Sequence, residues 1–237
     1  MSRAVLDGLT LAYERAGSGD PIVFIHGALI ADVFRPLVTE SALASGHELV
    51  VYHRRGYTGS THAAGALTVA QHAADCRALL RHLGIERTHM VGHSYGGAVA
   101  LQLALDSPEL IESLALLEPA VFGGQAYLDA LSKGQERSRR EGAEVVIDDF
   151  LKMRFGADYR PRLDRVLPGS FAQAVVDAPT WFEQEIPGLG AWTFNEDEAQ
   201  RITQPVLAVL GGESDTLWPP FGGTHRRIVS SLANVEG

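Results

Sequence analysis

One serine lies in a setting that suits a nucleophile. Ser94 is the central residue of the run from Gly92 to Gly96, which has the form G-x-S-x-G. The apolar residues Met90 and Val91 before it are typical of the end of a buried strand, and the small residues after it favour a helix. A serine between a strand and a helix occupies a sharp turn that holds its hydroxyl clear of the backbone. The pattern therefore predicts a nucleophile, and an incidental serine in a glycine-rich turn is the alternative.

The glycines around this serine have steric roles in the prediction. Gly92 and Gly96 flank Ser94 where a Cβ would clash, and Gly97 allows the helix to approach its neighbours. The N-terminus of the helix offers backbone N–H groups and the positive end of the helix dipole, which favour negative charge. An oxyanion that forms beside Ser94 would be stabilised there.

The elements before and after this turn alternate between strands and helices. Apolar runs predict buried strands at Ile22 to Ile25, Leu49 to Tyr52 and Ile111 to Leu117. Helices are expected from an N-cap at Asp32 to about Ala44, and from a capping box at Thr68 to Gly84. Alternation of this kind indicates βαβ units and a mostly parallel sheet.

The alternation stops after the strand that ends near Glu118. Helical segments are expected at 126–141 and 143–155, and proline-broken pieces without a convincing strand follow them. We therefore predict a helical cap, residues 119–201, inserted after the sixth strand between core segments 1–118 and 202–237. Such an insertion would lie over the carboxyl ends of the strands, where open α/β sheets bind ligands.

Composition restricts the class of partner. The 237 residues carry a formal net charge of −9, which argues against nucleic acid or an anionic membrane surface as a partner. The single cysteine, Cys76, cannot form an internal disulfide, and no Cys/His spacing indicates zinc. Neither a signal peptide nor a membrane-spanning run is evident. We expect a cytoplasmic protein with a small-molecule substrate, and no metal or organic cofactor is indicated.

Three motifs give the sequence its resemblance to a known family. They are His26-Gly27 after the first buried strand, Gly92 to Gly97, and Gly211 to Asp215 after an apolar strand at 205–210. In order and separation they resemble those of the α/β-hydrolase superfamily, over essentially the whole chain. The nearest group resembles the small cofactor-free esterases, lactonases, carbon–carbon bond hydrolases and haloperoxidases. The resemblance implies an α/β fold with a mostly parallel, doubly wound sheet and a helical cap.

The resemblance also implies roles for individual residues. Ser94 matches the family's nucleophile, and the backbone N–H groups of Ala28 and Tyr95 match its oxyanion-hole donors. Asp215 matches the acid that orients a catalytic histidine, and Glu118, at the end of the sixth strand, is the alternative acid. The residues expected near a substrate pocket are His26, Trp181 and Trp192. Packing between cap and core is an equal alternative for the two tryptophans.

The chain departs from the family at two places. His53 stands where the family has an aspartate, and we interpret Arg54 and Arg55 in the same loop as structural rather than as contacts to an acidic substrate. The family's catalytic histidine follows the acid in chain order, yet only His225 follows Asp215. It falls inside an expected helix, so we interpret it as a surface histidine.

The C-terminal end carries a further expectation. Residues 233–237 resemble the lead-in to an eighth strand that does not follow. This pattern predicts a truncated hydrolase whose catalytic histidine lies beyond Gly237. We expect such a chain to be inactive or nearly so, with an open edge at the seventh strand that favours dimerisation or edge pairing.

These observations predict a serine hydrolase that acts on an ester, lactone or similarly activated carbonyl bond by nucleophilic catalysis. A cofactor-free haloperoxidase or perhydrolase is an alternative, because it would use the same residues. A ligand-binding protein on a hydrolase scaffold is another, because the histidine is missing. An aspartate nucleophile is disfavoured, since Ser94 occupies the turn.

Overall fold

One mixed sheet organises the fold. The computed structural model describes residues 1–121, 124–217 and 219–237, with the side chains of 219–221 excepted. Its strands are β1 (Ser2–Leu6), β2 (Leu9–Gly17), β3 (Asp20–Ile25), β4 (His47–Tyr52), β5 (Thr88–His93), β6 (Ile111–Leu117), β7 (Val206–Val209) and β8 (Val235–Glu236). They lie in the order β1-β2-β4-β3-β5-β6-β7-β8. β2 pairs antiparallel with β1 and β4, and the other neighbours are parallel. The predicted mostly parallel α/β sheet is confirmed.

Helices connect the strands. They are α1 (Ser41–Ala44), α2 (Val69–Leu83), α3 (Tyr95–Asp106), α4 (Gly124–Glu141), α5 (Ala143–Phe155), α6 (Tyr159–Val166), α7 (Ser170–Pro179), α8 (Ile186–Gly190), α9 (Glu196–Gln200), α10 (Ser214–Leu217) and α11 (Pro219–Ser231). Short 3-10 turns occur at Arg35–Thr39 and Pro108–Leu110, and a π-helical turn at Thr180–Glu185. Within the described ranges, no helix is long and apolar enough to cross a membrane.

The helices between β6 and β7 lie where the cap is expected. α5 has the bounds predicted for it, and α4 begins two residues before the predicted start at 126. The division of the chain into core and cap at 119 and 201 stays a prediction.

The local sequence explains why α2 begins and ends where it does. The Thr68 hydroxyl accepts from the Gln71 N–H at 3.1 Å, which satisfies one of the unbonded N–H groups of the first turn. Gly84 ends the helix with a φ of 71°, in the left-handed region that glycine adopts without strain. The helix buries one apolar stripe against the sheet, comprising Val69, Ala73, Cys76, Leu79 and Leu80.

The helix expected from Asp32 to Ala44 is absent, and that prediction is wrong. A turn at 31–34 leads into the 3-10 turn, and α1 has only four residues. An N-cap at Asp32 would need its carbonyl to accept from the N–H of residue 36, but Pro36 has no N–H. The Asp32 carboxylate instead lies 2.9 Å from the His53 imidazole.

A short eighth strand lies beside β7. Val235 and Glu236 pair in parallel with Val206 and Leu207, so the expectation that no eighth strand follows is wrong. The Asn234 carbonyl accepts from the Val206 N–H at 2.8 Å and starts the ladder. Among the described residues β8 covers only the first half of β7. Pairing along the rest of this edge stays a prediction.

Candidate active site

Ser94 lies between β5 and α3 in a strained backbone conformation. Its φ of 50° is in the left-handed region, which costs a non-glycine residue about 1–3 kcal/mol. Neighbouring strands hold it there: the Ser94 N–H donates to Leu117 O at 3.0 Å, and its carbonyl accepts from the Ala120 N–H at 2.9 Å. The structure thus places Ser94 on the sharp turn that the sequence indicates. Its role as a nucleophile stays a prediction.

Close packing explains the glycines of the turn. A Cβ on Gly92 would lie 2.6 Å from the carbonyl oxygen of Gly96, and one on Gly97 would lie 2.5 Å from Pro119 Cβ. A Cβ on Gly96 would collide with the carbonyl oxygen of Ile25 at the end of β3. These contacts match the steric roles expected from the sequence, because only glycine leaves room for the chains to approach.

Two backbone N–H groups near Ser94 have no acceptor in the described part of the chain. Among the hydrogen bonds of the described residues, none uses the N–H of Ala28 or of Tyr95. Tyr95 is the first residue of α3, where N–H groups have no partner within the helix. The loop with Ala28 passes close to the serine, since a Cβ on Gly27 would lie 3.1 Å from Ser94 Cβ. Both N–H groups thus lie near the serine and keep their capacity to donate.

His26 is held as a neutral ring beside this loop. Its Nδ1 lies 2.7 Å from Gly27 O, and its Nε2 accepts from the Arg54 N–H at 3.0 Å. A backbone N–H can only donate, so Nε2 carries no proton and Nδ1–H donates to the carbonyl. Burial lowers the pKa of His26 well below 6.5, and the charge of Arg54 lowers it further. His26 thus has a structural role here.

The histidine that would activate the serine is not among these contacts. In residues 1–121, 124–217 and 219–237, no histidine shares a hydrogen bond with Ser94. His93 packs edge-on against Phe34, with 6.5 Å between ring centroids. His225 lies in α11, and a Cβ on Gly237 would be 3.2 Å from its Cε1. It therefore sits by the end of β8, away from the turn.

The two candidate acids have different partners. Asp215 lies in α10, and its carboxylate accepts from Arg226 of α11 at 3.3 Å. Glu118 follows β6, and its Oε1 accepts from the Gly211 N–H at 2.8 Å and from the Ser214 hydroxyl. Glu118 thus stabilises the loop after β7 through hydrogen bonds. The assignment of Asp215 as the acid stays a prediction.

A buried ion pair between core and cap was not visible in the sequence. Arg54 and Glu185 are fully buried, and the guanidinium donates to the carboxylate. Tyr57 donates its hydroxyl to Glu185 Oε2 at 2.8 Å, and His72 Nε2 lies 3.0 Å from Oε1. Burial by itself raises the pKa of Glu185, but the charge of Arg54 and the hydrogen bonds of His72 and Arg54 together outweigh it, so the pKa is lowered. The partners are 131 residues apart, and no spacing pattern connects them.

The loop after β4 contains a further ion pair and a histidine–carboxylate contact. Arg55 donates to both oxygens of Asp75, at 2.8 and 2.6 Å, which agrees with its structural interpretation. His53 contacts Asp32 through Nε2 and the Thr58 carbonyl through Nδ1, at 2.9 and 2.7 Å. The histidine bond and burial act oppositely on the pKa of Asp32, and the bond prevails to lower it. In the part of the chain described, no group of three His, Cys, Asp or Glu is placed to hold a metal ion.

A small cleft lies between the loop after Ala28 and helix α7. Its lining comprises Leu29, Ile30, Ala31, Asp32, Thr58, Ser170, Gln173 and Ala174. The residues expected near a pocket do not line it. Trp181 packs edge-on against Tyr95 at 6.0 Å between ring centroids, and Trp192 Nε1 donates to Gln102 Oε1 at 2.7 Å. Both tryptophans thus connect cap and core, and their place near a substrate stays a prediction.

Comparison with known proteins assigns the family. The model of the α/β-hydrolase fold family matches residues 20–143. The chain belongs to this family, which confirms the resemblance of its motifs.

Individual relatives differ in activity. The chain is 33% identical to a dihydrolipoyllysine-residue acetyltransferase component of the acetoin cleaving system of Cupriavidus necator, over 90% of this chain and 57% of that protein. It thus spans little more than half of that relative. It is 28% identical to a Mycobacterium tuberculosis protein named provisionally as a non-heme bromoperoxidase, over 95% of this chain and 87% of that one.

A solved structure shows the same fold. An enol-lactonase from Burkholderia xenovorans LB400 superimposes with a TM-score of 0.83 and 24% identity, over 99% of this chain and 89% of that chain. At this identity the likeness is one of fold alone.

Proposed function

We propose that this chain is a serine hydrolase acting on an ester, a lactone or a similarly activated carbonyl bond. Membership of the α/β-hydrolase fold family supports hydrolytic chemistry. The observation that carries the proposal is the strained turn at Ser94, with the N–H groups of Ala28 and Tyr95 nearby, to which no described residue supplies an acceptor. Strain of this kind persists where a side chain must be presented in one orientation.

In the proposed reaction, Ser94 Oγ forms a bond to the substrate's carbonyl carbon while its proton passes to a base. The N–H groups of Ala28 and Tyr95 donate to the oxyanion. The bond to the leaving oxygen then breaks, and the leaving alkoxide takes the proton. Water attacks the acyl-serine in the same way, which releases the carboxylic acid and restores the hydroxyl.

The base is a histidine oriented by Asp215, with Glu118 as the second choice for the acid. Because no described histidine contacts Ser94, we expect little turnover until a base is supplied. The oxyanion hole and substrate binding alone leave only a residual rate.

A fluorophosphonate probe tests this proposal, because it reacts only with an activated serine. The chain is labelled with and without added imidazole, beside Ser94→Ala and the control Ser41→Ala, an exposed serine of α1. We expect imidazole to raise the labelling of the chain and of Ser41→Ala but not of Ser94→Ala. Labelling that persists in Ser94→Ala, or none at any imidazole concentration, would contradict the proposal.

Two other functions have a supporting observation. Similarity to the bromoperoxidase-named protein over 95% of this chain favours peroxide-dependent chemistry at the same serine. Bromination of a dye by peroxide, bromide and a carboxylate buffer, lost in Ser94→Ala, would support it. That no histidine of the described ranges shares a hydrogen bond with Ser94 favours a ligand-binding protein, which the probe would leave unlabelled.

A further inference from the structure

We propose that Arg54 is a positioning residue for the oxyanion hole and links that hole to Glu185 of the cap. The proposal rests on the proposed function of the Ala28 N–H. It follows from the contacts of one peptide unit, the one that joins Gly27 to Ala28.

The carbonyl of this peptide accepts from two buried donors. Arg54 Nη2 donates to Gly27 O at 2.9 Å, and His26 Nδ1 lies 2.7 Å from the same oxygen. Arg54 Nε also donates to the preceding carbonyl, His26 O, at 3.1 Å. Two successive carbonyls of the loop are thus fixed by one guanidinium.

Fixing the carbonyl also fixes the N–H. The Gly27 C=O and the Ala28 N–H belong to one trans planar unit, so the direction of the first determines the direction of the second. A charge-assisted bond to the carbonyl also polarises the unit and strengthens its N–H as a donor. Arg54 therefore orients and strengthens the donor without touching the substrate.

Arg54 is itself fixed from both sides. Its guanidinium lies over the rings of Tyr57 and Tyr95, at 4.8 and 4.6 Å from their centroids. Glu185, at the end of the π-helical turn, accepts from both of its terminal nitrogens. Because Tyr95 supplies the other proposed donor, one cation contacts the carbonyl of the Gly27–Ala28 peptide, the ring of Tyr95 and Glu185 of the cap. A shift of Glu185 would therefore reach the oxyanion hole.

An NMR experiment reads this peptide directly. Protein labelled with ¹³C-carbonyl glycine and ¹⁵N-alanine gives one amide-to-carbonyl correlation for each Gly–Ala pair. The chain has six pairs, whose alanines are Ala28, Ala66, Ala98, Ala143, Ala157 and Ala191. The five pairs other than Gly27–Ala28 report whether a variant stays folded.

We expect Arg54→Met to move the Gly27 carbonyl upfield and leave the other five correlations in place. Arg54→Lys should move it part of the way, because one ammonium cannot reproduce the guanidinium fork. Glu185→Gln should move it in the same direction by less. The control is Arg55→Met, since Arg55 binds Asp75 and not this loop; it should leave the Gly27 correlation unmoved.

The proposal is overturned if the Gly27 correlation stays in place in a folded Arg54 variant. If Arg54→Met unfolds the protein, all six correlations should move to random-coil positions. Arg54→Lys and Glu185→Gln then decide, by whether the Gly27 correlation moves in a folded variant. The experiment does not depend on a reactive serine, and it can be repeated in Ser94→Ala. An unlabelled Ser94 with a moved Gly27 correlation would reject the proposed function and keep this inference.

Where Ser94 is labelled, Arg54→Lys should slow the labelling about 10- to 100-fold at saturating probe. This effect is smaller than the effect of removing a whole oxyanion-hole donor.

Discussion

The serine and the acid assigned to it lie in regions held by different forces. On the serine side, Arg54 and Glu185 form an ion pair in which both side chains are 0% exposed. Around Asp215, the side chain is 47% exposed and its ion-pair partner Arg226 is 68% exposed. The strained φ of Ser94 persists because packed neighbours leave it no alternative, whereas Asp215 is half-exposed. The serine side is therefore preformed, and the acid side is only weakly constrained.

The largest expected effect comes from breaking the buried ion pair. Arg54→Met leaves the Glu185 charge buried without a cation, and we expect the free energy of unfolding to fall by about 3–5 kcal/mol. Arg226→Met on the acid side removes only an exposed pair and should cost less than about 1 kcal/mol. Urea unfolding at pH 7 measures both. Similar losses in the two variants would abolish the contrast between the regions.

A double substitution shows why the loss is large. Arg54→Met with Glu185→Leu removes both charges and fills a similar volume with apolar atoms. We expect it to recover most of the stability that Arg54→Met loses, because no buried charge remains uncompensated. A double variant as unstable as the sum of the two single variants would point to lost packing instead.

A pair of glycines gives a second contrast. In Gly96→Ala the new Cβ collides with the Ile25 carbonyl, and we expect a loss of about 1–3 kcal/mol. In Gly212→Ala, beside the acid, the Cβ has nothing within 4 Å, and we expect a change within about 0.5 kcal/mol. Thermal unfolding of the two variants compares them. An unaffected Gly96→Ala would mean that the turn can yield.

The sequence predicts the serine side well because its signals are local. Strand, G-x-S-x-G and helix follow one another within about 20 residues, and the Thr68 cap and Gly84 lie at the two ends of one helix. The bounds of α5 follow from glycines on either side, Gly142 and Gly156. In each case the residue and its partner are close in the chain, so propensity and capping decide the outcome.

The remainder depends on contacts between distant segments. The partner of Arg54 lies in a proline-broken part of the cap that has no recognisable pattern, and only folding brings the two together. The helix expected at Asp32 failed because Pro36 removes its first bond. At 233–237 the sequence indicates only the lead-in to an eighth strand, because the two residues of β8 carry too little periodicity to indicate the strand itself.

Acid should destabilise the serine side in particular. Burial lowers the pKa of His26 and of His72 below 6.5, so the unfolded chain binds their protons more readily. Stability should therefore fall as pH drops below about 6.5, by at most ~1.4 kcal/mol per group and pH unit. The lowered pKa of Glu185 adds a further loss below about 4.5. Urea midpoints between pH 7 and 4 trace this decline.

His72→Gln tests which groups cause this dependence of stability on pH, because it removes one of the buried imidazoles whose pKa is lowered. We expect the urea midpoint of His72→Gln to decline less between pH 7 and 5 than that of the unmodified chain. His82→Gln is the control, since His82 is exposed on the same helix. Equal slopes in the two variants would assign the pH dependence elsewhere.

The smallest effect on stability should come from the acid itself. Asp215→Asn removes one partner of an exposed ion pair, and we expect the free energy of unfolding to change by less than about 0.5 kcal/mol. Glu118→Gln should cost more, because it weakens charge-assisted bonds to Gly211 and Ser214.

The effects of the two substitutions on the reactivity of Ser94 should rank the other way. An asparagine at 215 would favour the wrong imidazole tautomer, so Asp215→Asn should slow imidazole-dependent labelling of Ser94 more than Glu118→Gln does. To serve as the acid, Asp215 must exchange the Arg226 guanidinium for an imidazole, and its exposure makes that exchange inexpensive. If Glu118→Gln slows labelling more while both variants stay folded, the acid is Glu118, and the packed region around Ser94 would then contain both residues.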